Sequence, residues 1–143
     1  MCFPMPQVSE NETVNTANRP MKNLFIVTAA IEAGTGLLLV AVPSFVSKIL
    51  LGSLLEGPVA VMVARVAGIA LLSLAVACWL ARSDESRAAR GVASAMLLYN
   101  PAVALLLTYA GTGLGLFGIG LWPAVVLHAG MTAWCVLSLK RAR

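Results

Sequence analysis

A chain of 143 residues that is 59% hydrophobic and only 11% charged, with a mean hydropathy of +0.89, cannot clothe itself in polar surface as a soluble domain does, since such domains carry roughly 25% charged residues. Its net charge of +4 comes from residues standing beside apolar stretches, not from an aromatic-interleaved basic patch, which excludes a nucleic-acid surface. The cysteines, Cys2, Cys78 and Cys135, form no CxxC pair; they outline neither a disulfide framework nor a zinc site and fit a reducing compartment.

Residues 1–20 are polar and contain Pro4, Pro6, Glu10 and Glu12, which reads as a disordered N-terminal tail without the Arg-rich, acid-poor character of a transit peptide. Met21-Lys22-Asn23-Leu24-Phe25 reads as a second start of translation. From there to residue 143 the predicted fold class is all-α, an integral membrane bundle of four transmembrane helices. The expected spans are about 24–42, 59–81, 91–110 and 114–139, each near the ~20 residues that cross a hydrocarbon layer of about 30 Å.

The first span holds Glu32, which argues against a cleaved signal peptide, and Pro43 marks its end. The next segment, Ser44 to Gly52, places Phe45, Val46, Ile49 and Leu50 on one helical face with Lys48 and the serines opposite. That pattern predicts a short interfacial helix, with a frayed extension of the first span as the alternative. Gly57-Pro58 opens the second span, where proline's missing N–H costs nothing. Small residues recur at helical spacing as Ala60, Ala64 and Gly68 in the second span and as Ala29–Ala33 and Ala30–Gly34 in the first, which predicts close helix packing.

The run from Gly91 to Leu139 is too long for one crossing, and Gly111-Thr112-Gly113 is its natural turn, predicting a tight hairpin. Pro101 and Pro123 fall inside the last two spans and remove a backbone hydrogen bond each. Gly113-x-Gly115-x-x-Gly118 matches a dinucleotide fingerprint formally but follows no strand and carries no weight.

Basic residues set the orientation. Arg19 and Lys22 precede the first span, Arg82, Arg87 and Arg90 lie between the second and third, and Lys140, Arg141 and Arg143 follow the fourth, whereas the opposite loops hold only Lys48. The positive-inside rule then predicts both termini in the cytoplasm (N-in/C-in). Trp79 and Trp134 near the same side fit an aromatic belt.

Each span carries one costly polar residue: Glu32, Arg65, Asn100 and His128. Measured from the basic ends at ~1.5 Å per residue, they lie roughly 12, 22, 14 and 16 Å deep, which makes a candidate midplane polar cluster. A Glu or Arg at that depth costs about 2.5–3.5 kcal/mol on insertion scales and is expected to face the bundle interior and find a partner. Glu32 and Arg65 are the obvious ion pair, but helical side chains lean toward their own N-terminus, which separates these two, and the alternative is Arg65 reaching outward while Glu32 bonds Asn100 or His128. His128 is the only histidine, so a bis-histidine haem or a His-rich metal site within one chain is excluded, and no cofactor or metal is expected. No nucleophile–base–acid set is present either.

At Ala64-Arg65-Val66-Ala67-Gly68-Ile69-Ala70-Leu71-Leu72, Leu98-Tyr99-Asn100 and Trp122-Pro123-Ala124-Val125-Val126-Leu127-His128-Ala129, the chain resembles a group of small, uncharacterised bacterial four-helix inner-membrane proteins and, more distantly, is similar to the DoxX-like membrane proteins. The resemblance covers about Met21 to Leu139. It implies a bacterial inner-membrane bundle and brings no established activity.

Three functions remain open. The leading expectation is a non-enzymatic accessory or scaffold component with a packed interior, partnered by the lipid bilayer and by a homo-oligomer or membrane complex. The second is a small-molecule or proton-handling transporter-like bundle that uses Glu32 and His128. The third is a membrane redox accessory protein involving Cys78 or Cys135.

Overall fold

The computed structural model describes the backbone of residues 10–84 and 86–141, and side chains within residues 21–84 and 86–140. It is all-helical: α1 (Glu10–Ala41), α2 (Pro43–Leu51), α3 (Gly57–Ala81), α4 (Arg87–Thr112) and α5 (Leu121–Arg141). Four stretches are long and apolar enough to cross a membrane, Met21–Ala41, Gly57–Ala81, Arg87–Thr112 and Leu121–Lys140. Their outward faces carry Val59, Val63, Leu98, Leu105 and Val126, as lipid contact requires, and the chain is a multi-pass membrane protein.

Three boundaries differ from the sequence reading. Residues 10–20 are helical where a disordered tail is expected, because a span already nucleated adds further residues without a new nucleation cost; residues 1–9 lie outside the described residues. Gly111 and Thr112 belong to α4, so the hairpin is not tight there. The connection runs over residues 113–120, and the last helix begins at Leu121 instead of residue 114.

The helices associate as two antiparallel pairs, α1 with α3 and α4 with α5. In the first pair the backbones nearly touch: a Cβ added to Gly36 would stand 2.8 Å from the Gly68 carbonyl oxygen, and one added to Gly68 would stand 2.8 Å from that of Gly36. Packing replaces the hydrophobic drive in lipid, and this close approach is how the first pair gains it. Gly68 is in the expected stripe, but its partner is Gly36; Gly34 faces open space.

The pairs meet in an apolar core confined to the basic half of the bundle. Leu24, Phe25 and Ala29 of α1 pack there with Cys78 and Ala81 of α3, Ala89, Ala93 and Met96 of α4, and Met131 and Cys135 of α5. At that end Asp84 accepts bonds from the Ser86 backbone N–H at 2.8 Å and from its hydroxyl at 2.7 Å. The Ser86 hydroxyl oxygen in turn accepts from the Ala88 N–H at 3.0 Å and caps α4. These donors hold the Asp84 carboxyl below its ordinary range; the stabilisation is therefore full above that range and is lost as pH falls through the lowered value. The Arg82 guanidinium lies 3.8 Å from the centre of the Trp79 ring.

At the far end the two connecting segments are locked together. Pro43 sits in the first turn of α2, which ends on Gly52 in the left-handed region at φ 77°. The Gly120 N–H donates to the Ile49 carbonyl at 2.9 Å. Gly118 is so close that an added Cβ would meet Ile49 O at 2.2 Å, and one on Gly52 would meet Phe117 O at 2.3 Å. Ser47, expected on the polar face of α2, is buried and donates to the Ser53 carbonyl at 2.8 Å, whereas Phe45 and Ile49 are exposed.

Two substitutions test these approaches. Gly68→Ala and Gly118→Ala are each expected to destabilise by about 1–3 kcal/mol, because the obstructing atoms include backbone that cannot rotate aside. Gly34→Ala, with free space around it, is expected to be neutral or stabilising by up to about 1 kcal/mol. Reversible unfolding in mixed micelles measures all three.

Candidate functional site: a midplane polar cleft

Three of the four predicted residues come together. Glu32 on α1 is 4% exposed and Asn100 on α4 is 2% exposed, and both line one cleft with His128 of α5. By helical rise they stand about 16, 20 and 18 Å from the basic ends of their spans, so antiparallel helices deliver them to one depth. Thr28, Ile31, Leu127 and Met131 complete the lining.

Asn100 is the organiser on α4. Its side-chain Nδ2 donates to the Met96 carbonyl one turn back, at 2.9 Å, which turns its Oδ1 toward His128 Nδ1, also at 2.9 Å. Pro101 follows directly inside α4 and lacks the N–H that would close the next helical bond. Tyr99, the preceding residue, donates from its hydroxyl to Glu32 Oε2 at 3.4 Å, longer than the ordinary 2.5–3.0 Å for such a bond. Its ring stands edge-on to the His128 ring, 5.8 Å between centroids and 79° between planes. Two adjacent residues of α4 therefore bond to α1 and to α5.

Arg65 is not part of this site. The inward stripe of α3 runs through Gly68, Ala75 and Cys78, and Arg65 lies off it on the exposed side. Of the two arrangements open from the sequence, Arg65 follows the one that turns it away from Glu32, but the partner of Glu32 is Tyr99 and neither Asn100 nor His128. Depth was legible from the sequence, but the side of the helix was not.

Two participants escaped the sequence reading. Thr28 lies one helical turn before Glu32 and shares its face; it is 2% exposed and its buried Oγ1 has no hydrogen-bond partner. Tyr99 was visible only as the neighbour of Asn100. Between these side chains the cleft leaves a small gap, room for one water at most.

Among the described residues no group of three His, Cys, Asp or Glu side chains could hold a metal ion. Cys78 and Cys135 are free and buried in the apolar core. No protein-family model, curated protein or solved structure matches the chain.

The arrangement makes Asn100 the residue on which the His128 bond depends. Asn100→Ala strips the partner from His128 Nδ1 inside the bundle, and an unsatisfied buried polar group costs about 1–3 kcal/mol. Asn100→Ala is expected to lose that much stability in micelles, while exposed Ser94→Ala on the same helix changes it by less than about 0.5 kcal/mol.

Proposed function

We propose that this protein is a non-enzymatic accessory or scaffold component of a bacterial inner membrane, in which a midplane polar clamp sets the register of two helix pairs. The observation that carries the reading is the pair of bonds from neighbouring α4 residues, Tyr99 to Glu32 and Asn100 to His128. They link α1, α4 and α5 around a space suited to one water, which suits joining helices better than passing a solute. The outward apolar faces of α3 and α4 leave broad surface for lipid, a second copy or a membrane partner.

Both termini and the residue 82–86 turn are assigned to the cytoplasm. Among the described side chains Lys22, Arg82, Arg87, Arg90 and Lys140 stand at that end and Lys48 alone in the segments at the other, the asymmetry that the positive-inside rule converts into orientation. Trp79 and Arg82 at the same end of α3 fit an interfacial anchor. In this placement α2, with exposed Phe45 and Ile49, lies at the outer interface.

The clamp is tested by a double-mutant cycle. Glu32→Gln and His128→Gln are expected to lower folding yield in detergent, and coexpression of a native membrane partner to restore it. The Glu32→Leu and Tyr99→Phe pair, in which each single change removes the bond, should show a coupling of about 0.6 kcal/mol, the average for hydrogen bonds between membrane helices; zero coupling removes the clamp. Orientation is read separately from Ser83→Cys in a chain with Cys2 replaced by Ser: an impermeant maleimide is expected to label inverted vesicles and leave intact spheroplasts unlabelled.

A further inference from the structure

The bonds around His128 define where its proton sits. Because Asn100 Nδ2 is committed to the Met96 carbonyl, the atom facing His128 Nδ1 is the amide oxygen, which can only accept. Nδ1 therefore carries the hydrogen, and the neutral ring presents Nε2 as a bare acceptor. The Tyr99 ring, edge-on at 5.8 Å, holds the imidazole in place. A ring fixed at one nitrogen and open at the other is prepared to take a proton.

A donor faces the same cleft. Glu32 is nine-tenths buried and meets no basic side chain there, since Arg65 is on the exposed side of α3. Thr28 adds a buried hydroxyl with no partner on the cleft wall, and the space beside it accepts one water. Carboxyl, hydroxyl and imidazole thus surround a water-sized space at the midplane.

We infer that Glu32 and His128 form a proton-exchange pair, in which one proton passes between the Glu32 carboxyl and His128 Nε2 through a water held on Thr28 Oγ1. In the forward step the carboxyl O–H breaks as the water accepts its proton, and the water gives another of its protons to Nε2. Glu32 becomes a carboxylate, His128 an imidazolium, and the water is restored. The pair is neutral overall before and after, which matters because net charge in hydrocarbon is costly.

The surroundings balance the two placements. The Tyr99 hydroxyl donates to Glu32 Oε2 and the Asn100 oxygen accepts from Nδ1, and both bonds suit the ionised placement, whereas burial suits the neutral one. The other titratable or charged groups that pack against the pair are few. Cys78 of α3 and Cys135 of α5 lie in the apolar core beneath it, Tyr99 is the α4 group already named, Arg65 faces away, and Lys48 of α2 is exposed at the far end. The exchange pair goes beyond the clamp while sharing its Tyr99–Glu32 bond; the clamp is read from folding stability and the exchange pair from the titration of His128, with Glu32→Gln as the arm that tells the two failures apart.

His128 is the sole histidine, so histidine labelled with nitrogen-15 gives the signal of one ring. Nitrogen NMR of the full chain in lipid, titrated with pH, is expected to show Nδ1–H in the neutral ring. Glu32→Gln is expected to lower the proton affinity of Nε2 more than tenfold, because the imidazolium then has no carboxylate opposite it. Tyr99→Phe, which retains the ring against His128 and covers the case in which Glu32→Gln fails to fold, is expected to move the proton toward Glu32 and make the His128 signal more neutral. A titration that agrees within twofold between the wild type and either folded variant overturns the inference, as does a neutral ring protonated at Nε2.

Discussion

Hydrocarbon offers no water to an unpaired polar group, so a costly polar side chain carried into the bundle is stabilised by finding its partner in protein. That constraint organises the middle of this molecule. Glu32, Asn100 and His128 come from helices of different direction and reach one depth, and Tyr99 supplies the hydroxyl that Glu32 needs. The same constraint explains why Asn100 bonds back to Met96: an amide has donors and acceptors to satisfy together, and spending the donor on the backbone leaves the oxygen for histidine.

Glycine governs the rest of the packing, at two places for two reasons. Between α1 and α3, Gly36 and Gly68 let two helices approach until each blocks a Cβ on the other, an arrangement that membrane helices use where burial gains them little. At the far end Gly52 and Gly118 let two loops approach, and Gly52 also takes a positive φ that other residues adopt with strain. A methyl group at Gly68 or Gly118 therefore disturbs backbone against backbone, unlike one at Gly34.

Much of the fold was legible because hydropathy and charge report on length and sequence position alone. The four spans, the stop at Pro43 and the start at Gly57-Pro58 follow from those quantities. What failed needed the rotation of a helix about its axis or the path of a loop. Arg65 shares the depth of the cluster yet points elsewhere, and Gly34 and Gly36, both small, differ in which one meets α3. The segment 114–120 is as apolar as a span but has Gly115, Gly118 and Gly120 within it, and its backbone N–H groups bond back to Tyr109 and Ala110 of α4 and, from Gly120, to Ile49 of α2. In the site, Glu32, Asn100 and His128 stood out by burial cost, whereas Thr28 and Tyr99 are ordinary membrane residues until the helices are placed.

The joints between the two helix pairs are stacked along their length and unequal in kind. At the basic end the joint is an apolar core that includes Leu24, Phe25, Cys78, Met96 and Cys135; at the far end it is a backbone lock between α2 and residues 113–120. Both are close-packed, and close-packed contacts resist small displacements. The middle joint is a 3.4 Å hydrogen bond beside a space for one water, with an unpartnered Thr28 hydroxyl on its wall. Such a joint is directional where the other two are close-packed: it fixes register through the positions of a few polar atoms instead of through area. Close packing at both ends thus brackets a polar middle at the depth where Glu32 and His128 line one cleft.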